Sequence, residues 1–256
     1  ERMGQAWNGV TSGSYSSDKK NYNSLYKSGL GRYNPLYEQL IQNSDGTYST
    51  VPYQFADGTF WNKTTDNFWQ NHNLLSFDYK PAANLVMKTT LFYTYGYGYY
   101  NEFRKDNKLS KFGLSSNDVA RADFVRRKGC LQNDYGVVHR WAYCKDKLSV
   151  NGGISLQYFD SQHFGYLTYM SDIGLAEKYM PDGKRYKYYE SDGIKSDNNI
   201  FVKVNYLTGN WDLFADLQYR LVYHKLDGEN DIFIQQSDGS FLPQLLQGEK
   251  LCLPYP

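Results

Sequence analysis

Three pairs of alternating apolar and polar segments, each joined by a very short polar turn, constrain the fold of this chain most strongly. The pairs are 68–80 with 85–100, 134–143 with 148–160, and 199–206 with 211–224. Alternation with a period of two predicts antiparallel β-hairpins. Each pair then opens into a long loop rich in Gly, Tyr and Asn, and short turns at one end with long loops at the other are typical of a transmembrane β-barrel. We therefore predict an all-β fold, an antiparallel meander of long strands forming part of such a barrel, with long extracellular loops.

The composition suits membrane strands better than membrane helices. Hydrophobic residues make up 41% of the chain and aromatic residues 18%, including 26 Tyr, yet the mean hydropathy is −0.69. No run approaches the roughly 18 consecutive apolar residues of a membrane-spanning helix, whereas a barrel strand needs only alternate apolar positions. The net charge of +1 argues against a nucleic-acid partner held through its phosphates.

The alternation divides the strands into an apolar face and a polar face. In the third pair, Leu217 and Tyr219 share one face, and the other face carries Asp216, Arg220 and, on the preceding strand, Lys203. A Lys or Arg at the bilayer midplane costs about 2–4 kcal/mol, so we predict that these charges face the lumen while the apolar face contacts outer-membrane lipid. Tyr and Trp near its ends would form interfacial girdles. A soluble sheet with one buried face gives the same alternation, but its strands are usually shorter.

Five blocks of sequence follow one another in a defined order and spacing. They are GQAWNGV (4–10), TDNFWQ (65–70), GYGYYNEFRKD (96–106), DSQHFG (160–165) and LFADLQYR (213–220). Over residues 1–235 this set resembles the middle of the barrel of TonB-dependent outer-membrane receptors, of the kind abundant in Bacteroidetes. The resemblance implies a barrel of about 22 strands, closed by an N-terminal plug, in the outer membrane of a Gram-negative bacterium. It also implies that a ligand bound at the extracellular side enters when TonB pulls on the plug.

The chain departs from that family pattern in three respects. It contains neither a plug nor a TonB-contacting segment, it has too few strands to close such a barrel, and its tail, residues 240–256, is atypical. The closing residues Pro254 and Pro256 suit a final strand poorly, because proline lacks the backbone donor of a ladder. No signal peptide opens the chain. We therefore expect residues 1–256 to be a partial β-barrel domain, a fragment or truncated product, that does not transport alone.

Candidate ligand-binding side chains lie on the loops and in the predicted lumen. They are aromatic groups that stack on a sugar or chelate and polar or basic groups that hold an anion: Trp7, Trp61, Tyr100, Arg104, His163, Phe164 and Tyr166. Arg126 and Arg127 are further candidates for an anionic ligand, and packing between loops is the alternative interpretation for all of them. The scattered histidines and the odd number of cysteines predict no metal site, and no cofactor motif occurs. No nucleophile elbow is present, so we predict no catalytic residues and no enzymatic activity.

The function predicted from these features is TonB-dependent uptake, by an outer-membrane receptor, of a scarce or bulky ligand such as a siderophore, haem, cobalamin or glycan. Its partners would be outer-membrane lipid, the small-molecule or oligosaccharide ligand, and the TonB complex through the missing plug region. The alternative is a Tyr-rich β-sheet module that binds glycans at a surface without transport. A lipase or protease embedded in a barrel is a third alternative, which the missing catalytic set disfavours.

Overall fold

The structure is a computed structural model that describes residues 2–4, 37–62 and 65–252. The strands of these residues are β1 (Arg2–Gly4), β2 (Gln39–Gln42), β3 (Tyr48–Val51), β4 (Thr65–Ala82), β5 (Leu85–Lys108), β6 (Arg121–Lys145), β7 (Leu148–Met170), β8 (Tyr186–Thr208), β9 (Trp211–Gln235) and β10 (Phe241–Cys252). Among the same residues, one α-helix, α1 (Ile173–Tyr179), and 3₁₀ turns at Leu109–Phe112 and Pro181–Gly183 lie in the connections. Within these ranges no helix has both the length and the apolar character needed to cross a membrane.

Eight strands form one sheet in the order β1-β4-β5-β6-β7-β8-β9-β10, with every neighbouring pair antiparallel. From β4 to β10 neighbours in the sheet are also neighbours in the sequence, so the predicted all-β meander is confirmed. β2 and β3 pair with each other in a separate hairpin. In the described part of the chain β1 and β10 each pair with a single strand, and the sheet is therefore open at both edges.

The three predicted hairpins are confirmed, and their strands are longer than the sequence indicated. The turns consist of two residues each, at 83–84, 146–147 and 209–210, and left-handed backbone at Asp146 (φ 48°) and Gly209 (φ 58°) allows two of them to be that tight. β5 has 24 residues, and β6 and β9 have 25 each. Because the sheet is a meander, these turns lie at one end, the turn end. The connections with the 3₁₀ turns and α1 lie at the other, the loop end.

The strand register confirms the assignment of the two faces. Leu217 and Tyr219 share the apolar face, and Asp216 and Arg220 lie on the opposite, polar face. Asp216 lies directly across from Lys203, and its carboxylate is 3.1 Å from the Lys203 Nζ atom. The charged side chains of these strands are therefore paired with one another on the polar face.

The buried core lies at the loop end and does not separate two sheet layers. One cluster packs the 3₁₀ turn and α1 against the ends of β6, β7 and β8, with Phe112, Phe124 and Leu167 fully buried. A second cluster packs the segment 37–62 against Phe103 and Val125. Near the turn end, by contrast, residues 211–220 of β9 are all exposed. The long strands are therefore anchored at the loop end.

Close approach of backbones makes Gly136 on β6 sensitive to substitution. A Cβ atom there would overlap the carbonyl oxygen of Leu156 on β7, which is backbone and has little room to move. We expect Gly136→Ala to lower the free energy of unfolding by about 1–3 kcal/mol, as overpacking does. Gly193→Ala is the matched control, because its Cβ would meet its nearest atom, Ser161 Oγ, at an ordinary 3.4 Å. Urea unfolding followed by tryptophan fluorescence measures both, and equal stabilities would contradict the overlap at Gly136.

Candidate functional site

The apolar face carries a continuous group of exposed apolar side chains that we call the apolar band. It crosses β4 to β9 and includes Leu75, Phe77, Tyr79, Leu91, Tyr93, Tyr135, Ile154, Leu156, Ile200, Tyr206, Trp211, Leu213, Leu217 and Tyr219. Leu217 is 72% exposed and Trp211 is 73% exposed, so no described residue covers them. Exposed apolar patches of this extent are rare on soluble monomers and mark an interaction surface or a membrane contact.

The apolar band ends in a polar boundary on the side of the loop end. There the Tyr93 hydroxyl donates to Asn133 Oδ1 (2.9 Å), and Asn133 Nδ2 donates to Asp160 Oδ2 (3.0 Å). Between this boundary and the turns lie residues 135–143 of β6 and 148–158 of β7. These lengths agree with the roughly 9–11 residues of a tilted strand that crosses the hydrocarbon core of a bilayer.

Aromatic side chains concentrate at both limits of the apolar band. Tyr79, Tyr206 and Trp211 lie beside the turns, and Tyr93 and Tyr135 lie next to the polar boundary. An amphipathic ring is stable where apolar and polar surroundings meet, because the ring is buried while its polar atom remains hydrated. The interior of the band is mainly aliphatic. Aromatic residues at both limits with aliphatic residues between them agree with the predicted girdles.

The polar face carries a half-buried ion-pair cluster near the loop end. Arg126 donates to Glu102 Oε2 through Nε (2.9 Å), with a second nitrogen at 2.8 Å, and a terminal nitrogen of Arg104 lies 3.0 Å from Glu102 Oε1. The side chains of Glu102 and Arg126 are only 12% and 17% exposed. Burial opposes the charge of Arg126, but the Glu102 carboxylate, together with Tyr188 and Tyr100, raises the pKa of Arg126 overall. Two guanidinium groups therefore share one carboxylate.

The end of β9 turns across the polar face beside this cluster. Pairing of β9 with β8 ends at Gly228, where φ is 107°. Beyond that point Asp231 reaches back to Lys128 (Oδ2 to Nζ, 2.6 Å), and Phe233 packs near the ring of Tyr188. β9 therefore bounds the polar face at the loop end.

A cavity of about 300 Å³, which we call the polar cavity, lies under this arrangement. Its lining includes Tyr100, Lys128, Cys130, His163 and Tyr189. Burial raises the pKa of Tyr189, so this hydroxyl remains a neutral hydrogen-bonding group. The cavity thus combines aromatic rings, the Asp66 carboxylate, one imidazole and an ammonium group that is already paired with Asp231. This set is suited to stacking and hydrogen bonding with a polar ligand.

The sequence-predicted site residues fall into separate places. Tyr100 and His163 line the polar cavity, and Arg104 lies in the adjoining ion-pair cluster. Trp61 is 7% exposed and packs with Phe103 in the second core cluster, so its ring belongs to that packing. Trp7 lies outside the described residues, and its role stays a prediction.

Phe164 and Tyr166 lie in a different cavity, on the apolar-face side of the sheet. The register explains the separation, because Phe164 and His163 are consecutive residues of one strand and their side chains point to opposite faces. The candidates predicted from the sequence are therefore distributed over the two cavities, the ion-pair cluster and the second core cluster.

Sequence reasoning missed three residues of the polar site: Glu102, Lys128 and Asp231. Glu102 lies in the 96–106 block, two positions from both Tyr100 and Arg104, so the alternation already assigned it to their face. Lys128 is two positions from Arg126 on β6, so the alternation places both on the same face. No feature of the sequence pointed to Asp231 as a site residue, because its contact with Lys128 depends on the path of β9.

No protein-family model and no curated protein matches this sequence. Function must therefore be argued from the geometry of the two faces. Among residues 2–4, 37–62 and 65–252, no three or more His, Cys, Asp or Glu side chains are grouped to hold a metal ion.

Removing the shared carboxylate tests the ion-pair cluster. Glu102→Gln leaves the largely buried Arg126 and the partly exposed Arg104 without their anion. We expect a loss of about 3–5 kcal/mol in the free energy of unfolding, mostly from Arg126. Asp78→Asn is the control, because Asp78 and Lys88 are 3.7 Å apart and their side chains are 68% and 54% exposed, which makes the pair worth less than about 1 kcal/mol. Chemical unfolding of both variants measures the difference, and a Glu102→Gln protein as stable as Asp78→Asn would contradict the role of Glu102.

The pH dependence of stability tests the surroundings of His163. Burial, and then the Lys128 charge, lower the pKa of His163 below its ordinary value, while Asp192 acts in the opposite direction. The folded state therefore binds the proton less readily than the unfolded chain, so stability is lost as the pH falls below about 6.5. We expect His163→Gln to reduce the decrease in the free energy of unfolding at low pH, measured by unfolding at a series of pH values. His72→Gln controls for removal of an exposed imidazole. An unchanged slope in His163→Gln would contradict the assignment.

Proposed function

We propose that this chain forms part of the wall of an outer-membrane β-barrel receptor that takes up a scarce or bulky ligand in a TonB-dependent manner. One observation carries the proposal: a band of exposed apolar side chains on one face, with ion-paired charges at the same level on the other. Burial of apolar surface gains about 25 cal/mol per Å², so such a face requires an apolar environment. A bilayer supplies that environment on one face, and a hydrated lumen solvates the other.

The charges of the polar face support the assignment of this face to the lumen and of the apolar face to the lipid. Arg220 forms two hydrogen bonds to Asp197, at 2.8 Å and 2.6 Å, and Lys203 pairs with Asp216. All four charged residues lie on β8 and β9, at about the same position along the strands as Leu217 on the other face. A water-filled lumen tolerates these groups, whereas the opposite orientation would place several charges in hydrocarbon at about 2–4 kcal/mol for each Lys or Arg.

The proposal includes further strands beyond the described sheet. Unpaired strand edges are not tolerated in hydrocarbon, because each free backbone group costs several kcal/mol. Strands from additional chain or from other copies must therefore pair with the two open edges.

Ligand capture is assigned to the polar cavity, which would open toward the extracellular end of the lumen. Tyr100 and Tyr189 supply rings for stacking, and Lys128 and His163 supply polar contacts. The neighbouring Arg104 retains a buried Nε atom without a hydrogen-bond partner among the described residues. Because Asp66 also lines the cavity and Lys128 is paired with Asp231, these groups suit a ligand with sugar or aromatic rings and uncharged groups for hydrogen bonding. TonB dependence rests on the resemblance of the five sequence blocks.

Two adjacent substitutions test whether the apolar band contacts lipid. Leu217→Lys places a charge on the apolar face, and Gln218→Lys places the same charge on the polar face, one residue away. In lipid vesicles we expect Leu217→Lys to cost about 2–4 kcal/mol and Gln218→Lys to have little effect. Urea titration of the reconstituted protein measures both. Equal tolerance of the two lysines would contradict a lipid-facing band.

Uptake is tested in the organism that produces the protein. We expect deletion of its coding sequence to abolish growth when one of four nutrients is limiting: a ferric siderophore, haem, cobalamin or an oligosaccharide. Loss of TonB should produce the same defect. Normal growth on all four would contradict import. Lost glycan binding with unchanged uptake would instead favour the surface glycan-binding module.

A further inference from the structure

A second cavity lies on the apolar-face side, just beyond the polar boundary. It has a volume of about 540 Å³, and we call it the rim cavity. Its aromatic and apolar lining consists of Tyr95, Tyr97, Leu131, Phe164 and Tyr166. On its far side the segment 37–62 packs against the sheet at Val125. The rim cavity therefore lies between the apolar band and the packed loop end.

The rim cavity is continuous with the apolar band along the strands. Leu131 pairs with Tyr97 and is the next residue of the apolar face after Asn133 at the polar boundary. The Phe164 and Tyr97 rings are stacked at 6.4 Å, with an interplanar angle of 25°. Tyr166 then lies directly across from Arg127. The surface thus changes from aliphatic to aromatic to cationic along the strands.

Three cations line the rim cavity: Arg127, Lys184 and Arg185. None of them is in an ion pair with a carboxylate of the described residues. Glu190 also lines the cavity, but its carboxylate is 2.9 Å from Lys187 Nζ and accepts a hydrogen bond from Gln162 Nε2 (3.1 Å). Among the described residues these three cations therefore have no carboxylate partner, and they outnumber the single carboxylate of the lining.

Arg127 is fixed in position and carries an unfavourable charge in the absence of an anion. Its Nε donates to Asn101 Oδ1 at 2.9 Å, and its guanidinium lies 3.9 Å from the centre of the Tyr99 ring. Burial and the neighbouring Arg185 charge lower the pKa of Arg127. An anion between the two guanidinium groups would relieve their repulsion and accept charge-assisted hydrogen bonds.

We propose that the rim cavity binds the phosphate headgroup of an anionic membrane lipid whose acyl chains lie on the apolar band. Charge complementarity selects a phosphate, and continuity with the band selects a lipid over a free anion. Basic side chains at a membrane surface attract anionic lipids in this way. The inference rests on the proposed function, because the lipid occupies the site only if the apolar band lies in a bilayer.

The test measures binding of phosphatidylglycerol to the purified 256-residue chain in non-ionic detergent by native mass spectrometry, with phosphatidylcholine as the neutral reference. Arg127→Gln/Arg185→Gln removes two of the three cations. We expect affinity for phosphatidylglycerol to fall about fivefold per cation, about 25-fold in total, with no change for phosphatidylcholine. Lys111→Gln is the control, because Lys111 is an exposed cation of the 3₁₀ turn and does not line the cavity.

Three results would overturn the inference: unchanged phosphatidylglycerol affinity in the double variant, equal affinity of the wild type for both lipids, or displacement of the lipid by inorganic phosphate at comparable concentration. The last result would identify a site for free phosphate. The Leu217→Lys and Gln218→Lys pair separates this failure from failure of the proposed function. If that pair behaves as expected while the double variant binds lipid normally, only the inference fails.

Discussion

The continuous antiparallel ladder from β4 to β10 is the interaction on which the rest of the structure depends. Near the turn end no described layer covers either face, so the ladder alone determines which face each side chain occupies. A slip of one residue between β8 and β9 would place Asp216 where Leu217 now lies, because side chains alternate along a strand. The cross-strand pair of Lys203 and Asp216 favours the observed register. Register, rather than a buried core, therefore separates the apolar surface from the charged one.

At the loop end, by contrast, the candidate sites lie beside irregularities in the pairing of the strands. The shift of register between Gly165 and Tyr166 brings both Tyr188 and Tyr189 over Gly165. The departure of β9 from β8 at Gly228 brings Asp231 to Lys128. Regular ladders form the two-faced sheet, and the interruptions of these ladders lie beside cavities with buried polar groups. The candidate binding residues therefore lie near the end of the sheet at which the pairing is least regular.

The sequence predicted those features that depend on the period of two. The hairpins and the opposite orientation of Asp216 and Leu217 follow from alternation within single strands, and both are confirmed. The limits of the strands were set too short, because residues such as 101–108 are largely polar and read as loop although their backbone continues the ladder.

The grouping of site residues was less predictable, because it depends on the register between strands. Tyr100 and His163 meet only through that register, and the contact of Lys128 with Asp231 spans 103 residues of sequence. Membrane insertion, the ligand and TonB dependence remain predictions. They concern the surroundings of the sheet, which the alternation constrains but does not identify.

The two-residue turns also bear on how the chain folds. A very short loop costs little entropy to close, so each hairpin brings its two strands together locally and early. The edge strand β1 differs, since Gly4 pairs with Thr65 across a much longer stretch of sequence. Contacts of high sequence separation form slowly. We therefore expect the sheet to assemble hairpin by hairpin, with the β1 edge formed last, so that this edge remains open to pairing with another strand for longest.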